Sequence, residues 1–486
     1  MKPVPPPPSP SPIGLPHRTA RFCNGSILRH TLVMAGTGTL GLIAVFVVDL
    51  LNLLYISMLH DRALTAAVAF TGAVSYLQLA ISIGMSIGLG AVVSRRIGAG
   101  RSDEARRIAS AALVVMVVVM LMIGLGTVLM LDPILRGLGA SGAVLRAAAR
   151  NVSIVSPFLP MIAIGMACSS LLRSVGDARR SMTVTLWSAG FLACLDPVLI
   201  FFLHLGLEGA AIGTVLSRTL AASLGLLAVH RHRILARPVW RSIPADAWPV
   251  ASVALPAMLT NLATPVGGAF TTHFMSRFGL EAVAGQATID RMVPVAFAFI
   301  FALTGSVGPI MAQNLGAGQI ARVRQTLRCA LLLVQACVLV MWAVLALSQN
   351  LLVTLFSATG DAARLIHLFC SYTVAGFLFT GALFVANTAF NNLGRPLLST
   401  VFNWGRATMG TIPFVLVGMH YGPPGVLIGQ SLGGVAFGIL AVAAAFLLTR
   451  RLLPGHPDTV ANMPVPAISG KAAIAEMAEL TREETV

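Results

Sequence analysis

The chain has 486 residues, of which 56% are hydrophobic and 10% charged, with a mean hydropathy of +0.85. A soluble globular protein carries about 25% charged residues, so this composition excludes a soluble fold. It describes an all-α polytopic protein embedded in a lipid bilayer, since apolar stretches of about 20 residues or more recur along it. The formal net charge of +16 does not mark a nucleic-acid partner, because the basic residues follow membrane topology instead.

Residues 1–30 hold "PVPPPPSPSP" followed by Arg18, Arg21 and Arg29, the composition of a disordered Pro-rich cytoplasmic tail. The next apolar run is too long for the core of a cleavable signal. Twelve spans are predicted, near 31–59, 66–93, 107–131, 145–172, 181–204 and 208–229, then 246–276, 286–312, 325–348, 363–390, 397–419 and 424–449. They group into an N-lobe over 31–229, a cytoplasmic linker over 230–245 and a C-lobe over 246–450, with a polar cytoplasmic tail over 451–486. Six scattered cysteines suggest neither a metal site nor a disulfide framework.

The junctions after even-numbered spans, together with the termini, hold 22 of the 33 Lys and Arg; those after odd-numbered spans hold 7. The positive-inside rule then places both termini in the cytoplasm of a cell whose inner membrane the protein crosses. An even number of spans demands the same.

An internal repeat runs through the chain. "RRIGAGRSDEARR" echoes "QNLGAGQIARVRQ", with Gly98 and Gly316 218 positions apart, and Gly176 and Gly394 keep that offset. "GAAIG" echoes "GVLIG", and Pro197 and Pro413 are 216 apart. Two six-span halves enter the membrane in one orientation, so they are parallel repeats about an axis along the membrane normal, with a substrate path between them.

Few charges lie inside spans. Asp49 in "VFVVDLLN" costs about 2.5–3.5 kcal/mol on the mildest insertion scale. Asp196 precedes Pro197, Thr214 and Arg218 sit one turn apart in span 6, and Arg406 lies in span 11. Intramembrane ionisable groups mark pathways by default. "GTGTLG" and "GMSIG" imitate a dinucleotide loop and a nucleophile elbow, but neither follows a strand. Small residues four apart instead let helices approach closely. No motif supports an enzyme, a metal or a cofactor.

The ordered set "VVDLLN", "SRRIGAG", "LDPVLIFFLHLGLEGAAIGTVLSR", "GPIMAQNLGAG" and "RATMGTIPF" resembles the multidrug and toxic compound extrusion (MATE) family, across residues 28–450. The resemblance implies two six-helix lobes forming a V. It also implies a secondary active antiporter exporting small amphipathic, drug-like compounds against inward H⁺, with Na⁺ as the second coupling ion, and we expect a monomer. The family's N-lobe cation site falls here on Asp49, Asp196 and Thr214. Its span 5 asparagine position is Leu192, a departure that leaves one polar ligand missing. Two C-lobe carboxylate positions fall on Thr264 and Thr380, which with Arg218 and Arg406 are the candidate substrate-cavity residues. Arg406 fits neutral, zwitterionic or anionic substrates better than cations, or else a structural ion pair. The family's span 1 proline is absent, and Gly36, Gly38 and Gly41 stand in that region. A lipid-linked saccharide flippase of the same superfamily is the alternative.

The energetics suit coupling. Two buried carboxylates on facing helices could take a proton from one side and release it to the other. One proton entering across 100 mV releases about 2.3 kcal/mol and one pH unit adds about 1.4. Together these sustain roughly a 500-fold gradient of a neutral substrate, but only about tenfold of a monovalent cation.

Overall fold

The computed structural model describes residues 20–59 and 62–452. The expectations for residues 1–19 and for the C-terminal tail from 453 onward lie outside the described residues. The N-lobe spans are Ile27–Ser57, Arg62–Gly98, Ser102–Leu129, Gly142–Ser174, Ala178–Phe202 and Gly206–Arg231, spans 1 to 6 in order. In the C-lobe, span 7 is Ile243–Met275, span 8 is Leu280–Ala296 plus Ala298–Gly316, and span 9 is Ile320–Leu355. Span 10 is Gly360–Ser371 plus Phe377–Asn392, span 11 runs from Pro396 to Gly418, and span 12 is Gly422–Arg451.

By length and hydropathy alone the last two merge into one 56-residue stretch, Pro396–Arg451. Such a helix would be about 84 Å long against a hydrocarbon core of about 30 Å. It doubles back at Gly422, whose φ is +76°. Gly418 then lies against Gly425, Phe414 against Gly429 and Gly410 against Gly433, too close for any side chain on these glycines. The positive φ and the backbone contacts are why glycine recurs here.

Prolines set the irregularities. Pro157 lies in the tight turn Ser156–Phe158 inside span 4. Pro197 has no N–H to give to the helix ladder, and the wide turn Val198–Phe202 follows it in span 5. Span 8 breaks at Phe297, three residues after Pro294. Span 1 is one unbroken helix of 31 residues.

The lobes meet along spans 1, 2, 7 and 8. Span 2 crosses span 7 at the glycines of "GMSIG": a Cβ on Gly88 would stand 2.8 Å from the Ala254 nitrogen. Span 1 meets span 8 where Gly38 faces Ala302. At the arginine-rich ends Gly98 abuts Gln313 and Gly316 abuts Arg95. The N-lobe core on this side takes in Val250, Val253 and Ala254 of span 7. The core on the other side, around Ile56, Val74, Leu135 and Leu207, is built from N-lobe residues alone. The lobes therefore close at one end of a V and part at the other.

One expectation changes. Disorder was expected over 1–30, yet residues 20–30 are folded. Arg21–Cys23 form a short helical turn and Ser26 caps span 1, its hydroxyl accepting from the Arg29 N–H. The cause is Phe22, which is 1% exposed and packs with Met34, Ala178 and Ile310. Its N–H donates to Gln313 Oε1 at 3.0 Å, and its carbonyl accepts from Asn314 Nδ2 at 3.2 Å and Arg322 Nη2 at 2.9 Å. Arg21 Nη1 donates to the Gly176 carbonyl at 2.9 Å. This segment straps the turn after span 4 to spans 8 and 9.

Candidate functional site

Span 1 packs on span 5, with Gly41 against Thr185. Asp49 lies 11 residues beyond Gly38, about three turns and 16 Å along the helix, and on nearly the same face. It therefore faces the space between the lobes, and its side chain is exposed. Asn52 is three residues on, rotated toward span 5. Its Nδ2 donates to Asp196 Oδ2 at 2.8 Å.

Asp196 itself is 1% exposed. Its Oδ1 presses against Gly213, the residue before Thr214, and has no hydrogen-bond partner. Leu192 packs on the same glycine. Arg218 stands one turn beyond Thr214, half-buried, and its charge interacts with that of Asp49. Its Nη1 is buried without a partner.

Asp49, Asp196 and Thr214 thus fall in one neighbourhood on the open side of the N-lobe, but not as a carboxylate pair. The hydrogen bond to Asp196 comes from Asn52, not from Asp49. Asn52 also supplies an amide where Leu192 offers none, and sequence reasoning passed it over. Its signal was spacing: Asn52 is three residues from Asp49, an adjacent position on the surface of span 1.

In the C-lobe, Arg406 Nη2 lies 3.4 Å from Thr264 Oγ1, and Arg406 Nε is buried without a partner. Arg406 opens the wide turn Arg406–Gly410. Thr380 is not part of this pair; it sits on span 10 against Gly434 of span 12. A further acid escaped the sequence reading. Asp290 lies in the first half of span 8 and accepts from Gln286 Nε2 at 3.0 Å. It falls near the start of the predicted span 286–312. Among the described residues no cluster of His, Cys, Asp and Glu could hold a metal ion.

Known proteins resemble the chain over nearly its whole length. The MatE family profile matches twice, over residues 39–198 and 256–417, and the two starting points are 217 apart, close to the offset of the repeat. A FAD transporter of Shewanella oneidensis is 28% identical, covering 89% of this chain and 97% of its own. Multidrug export protein MepA of Staphylococcus haemolyticus is 23% identical, covering 89% and 96%. The crystal structure of the Vibrio cholerae MATE transporter VcmN in the bent form superposes with a TM-score of 0.82 at 24% identity, covering 90% and 98%; that likeness establishes the fold.

Proposed function

The chain belongs to the MATE family and is a multi-pass membrane transporter of small molecules, not an enzyme; from that membership we propose that it is a proton-coupled antiporter exporting amphipathic organic compounds. Asp196 carries this reading: it is a buried carboxylate with one oxygen on the Asn52 amide and the other without a partner. Burying a carboxylate is costly unless it is paired and hydrogen-bonded, so Oδ1 is a ready acceptor for one proton. Asp49, exposed on the cleft face of span 1, is the acid that meets incoming protons, and Arg218 is the charge it answers to. Thr214 borders the same space. The set of one amide, two carboxylates and a hydroxyl suits H⁺ first and Na⁺ second.

The arginine bias reads the closed end as cytoplasmic, with both termini inside the cell membrane. The V then opens outward, and protons enter from the outside. Relatives named as a FAD transporter and a multidrug export protein support bulky organic substrates. We expect the protein to work as a monomer.

The test is dye efflux from cells making wild type, Asp49→Asn or Asp196→Asn at equal levels, with the pH gradient or the Na⁺ gradient abolished in turn. Efflux should fall at least tenfold in both variants, and in wild type when the pH gradient collapses. Unchanged efflux in Asp49→Asn makes that acid structural and ends the proposed mechanism. Sensitivity to the Na⁺ gradient alone replaces H⁺ with Na⁺.

A further inference from the structure

Arg406 is a charge without a counter-charge. Among the described residues no carboxylate interacts with it; its one side-chain contact is Thr264 Oγ1 at 3.4 Å. Its Nε, buried and unpartnered, is a donor without an acceptor. Leaving a charged donor unsatisfied is costly, and membrane-embedded arginines almost always face the bundle interior or a water-filled cavity. Thr264 is exposed and belongs to span 7, which lines the seam. It lies ten residues beyond Ala254, about 15 Å further along the helix toward the open side. This pair thus keeps an exposed flank at the level where the lobes part.

We propose that Arg406 and Thr264 form an oxyanion-binding subsite in the C-lobe, and that the exported substrates include amphipathic organic anions bearing a carboxylate, sulfonate or phosphate. A guanidinium presents planar paired donors that match such groups bidentately. The Thr264 hydroxyl supplies a third donor beside it. The proton site and the anion site then occupy opposite lobes, so the proton need not displace the anion by contact. Coupling runs through the movement of the lobes.

The energetics agree. Each charge moved across 100 mV is worth about 50-fold in concentration. A monocation leaving for one entering proton cancels that term, whereas a monoanion leaving adds to it. With one pH unit, the sustainable gradient of a monoanion is then roughly 10⁴-fold, against about tenfold for a monocation.

The inference rests on the transport reading above, and one experiment separates the two. Purified protein is reconstituted in proteoliposomes, and uptake of carboxyfluorescein and of ethidium is measured with and without an imposed pH gradient. In wild type, carboxyfluorescein uptake should saturate and exceed that of ethidium. Arg406→Gln should lower the anion-to-cation uptake ratio about 10–100-fold, the loss expected for a charge-assisted hydrogen-bonded contact, and Arg406→Lys should recover part of it. If Arg406→Gln does not accumulate, Thr264→Val carries the test and should lower the ratio several-fold. A wild type that prefers ethidium, or a ratio unchanged in these variants, overturns the anion subsite. Anion uptake that ignores the pH gradient, with the ratio still falling in Arg406→Gln, overturns proton coupling and keeps the subsite.

Discussion

Arg95 and Gln313 occupy the same position in the two halves, 218 residues apart, and each reaches across the seam to the other lobe. Arg95 Nη2 donates to the Asn392 carbonyl at 2.8 Å, and Gln313 Nε2 donates to the Ser174 carbonyl at 2.7 Å. Ser174 and Asn392 are themselves 218 apart. The seal is thus one contact made twice, by a two-fold along the membrane normal. The strap at Phe22 breaks the symmetry, because it bonds to Gln313 and not to Arg95. Gln313→Ala should therefore weaken the seal more than loss of one bond would, and lower dye efflux several-fold in cells. Efflux equal to wild type would show that the seal carries no share of the transport cycle.

Gly98 gives a sharper test. Its missing Cβ would strike the Gln313 carbonyl, which is backbone and cannot swing aside. Gly98→Val should hold the arginine-rich ends apart, cutting efflux at least tenfold while the protein still inserts and purifies as a single species. Normal efflux in this variant would mean that the closed end relaxes easily.

Asn52 is expected to matter for transport more than for folding. Side-chain hydrogen bonds inside a membrane average about 0.6 kcal/mol, so Asn52→Leu should leave expression intact. It strips Asp196 of its hydrogen bond, and pH-driven efflux should drop about as far as in Asp196→Asn. A variant with normal pH-driven efflux would remove Asn52 from the coupling site.

Cys23 reports on the strap. It lies outside the membrane spans, and burial holds its thiol above the ordinary value while the Arg322 guanidinium pulls the other way. Its Sγ is 3.6 Å from the Gln313 carbonyl. Little thiolate forms near neutral pH, so maleimide labelling should be slow and should quicken as the pH rises. Gln313→Ala should label faster at one pH. Equal rates in the two proteins would mean that the strap does not depend on that glutamine.

The span count, the two lobes and their parallel repeat were legible because each rests on a periodic signal: apolar length, arginine alternation and one sequence offset. The seam was half legible, since "GMSIG" reads as a close-approach motif without naming span 7 as the partner. The candidate site residues could be named from the sequence, but the contacts between them could not. Asn52 serving Asp196 is a contact between side chains 144 residues apart, and no local pattern encodes it. Asp290 was missed for a different reason: it falls near the start of the predicted span 286–312, where a charge reads as a span end rather than as a buried acid. Phe22 was hidden by the proline- and arginine-rich stretch around it, though one buried aromatic is enough to fold that segment.

The strap also sets a clock on assembly. Phe22 is made early, yet its partner Gln313 lies 291 residues later in the chain. At 5–20 residues per second, roughly 15–60 s of synthesis separate the two. During that interval an inserted first lobe has nothing to close against. A sealed arginine-rich end can exist only once the second half has entered the bilayer, so closure itself certifies a finished transporter.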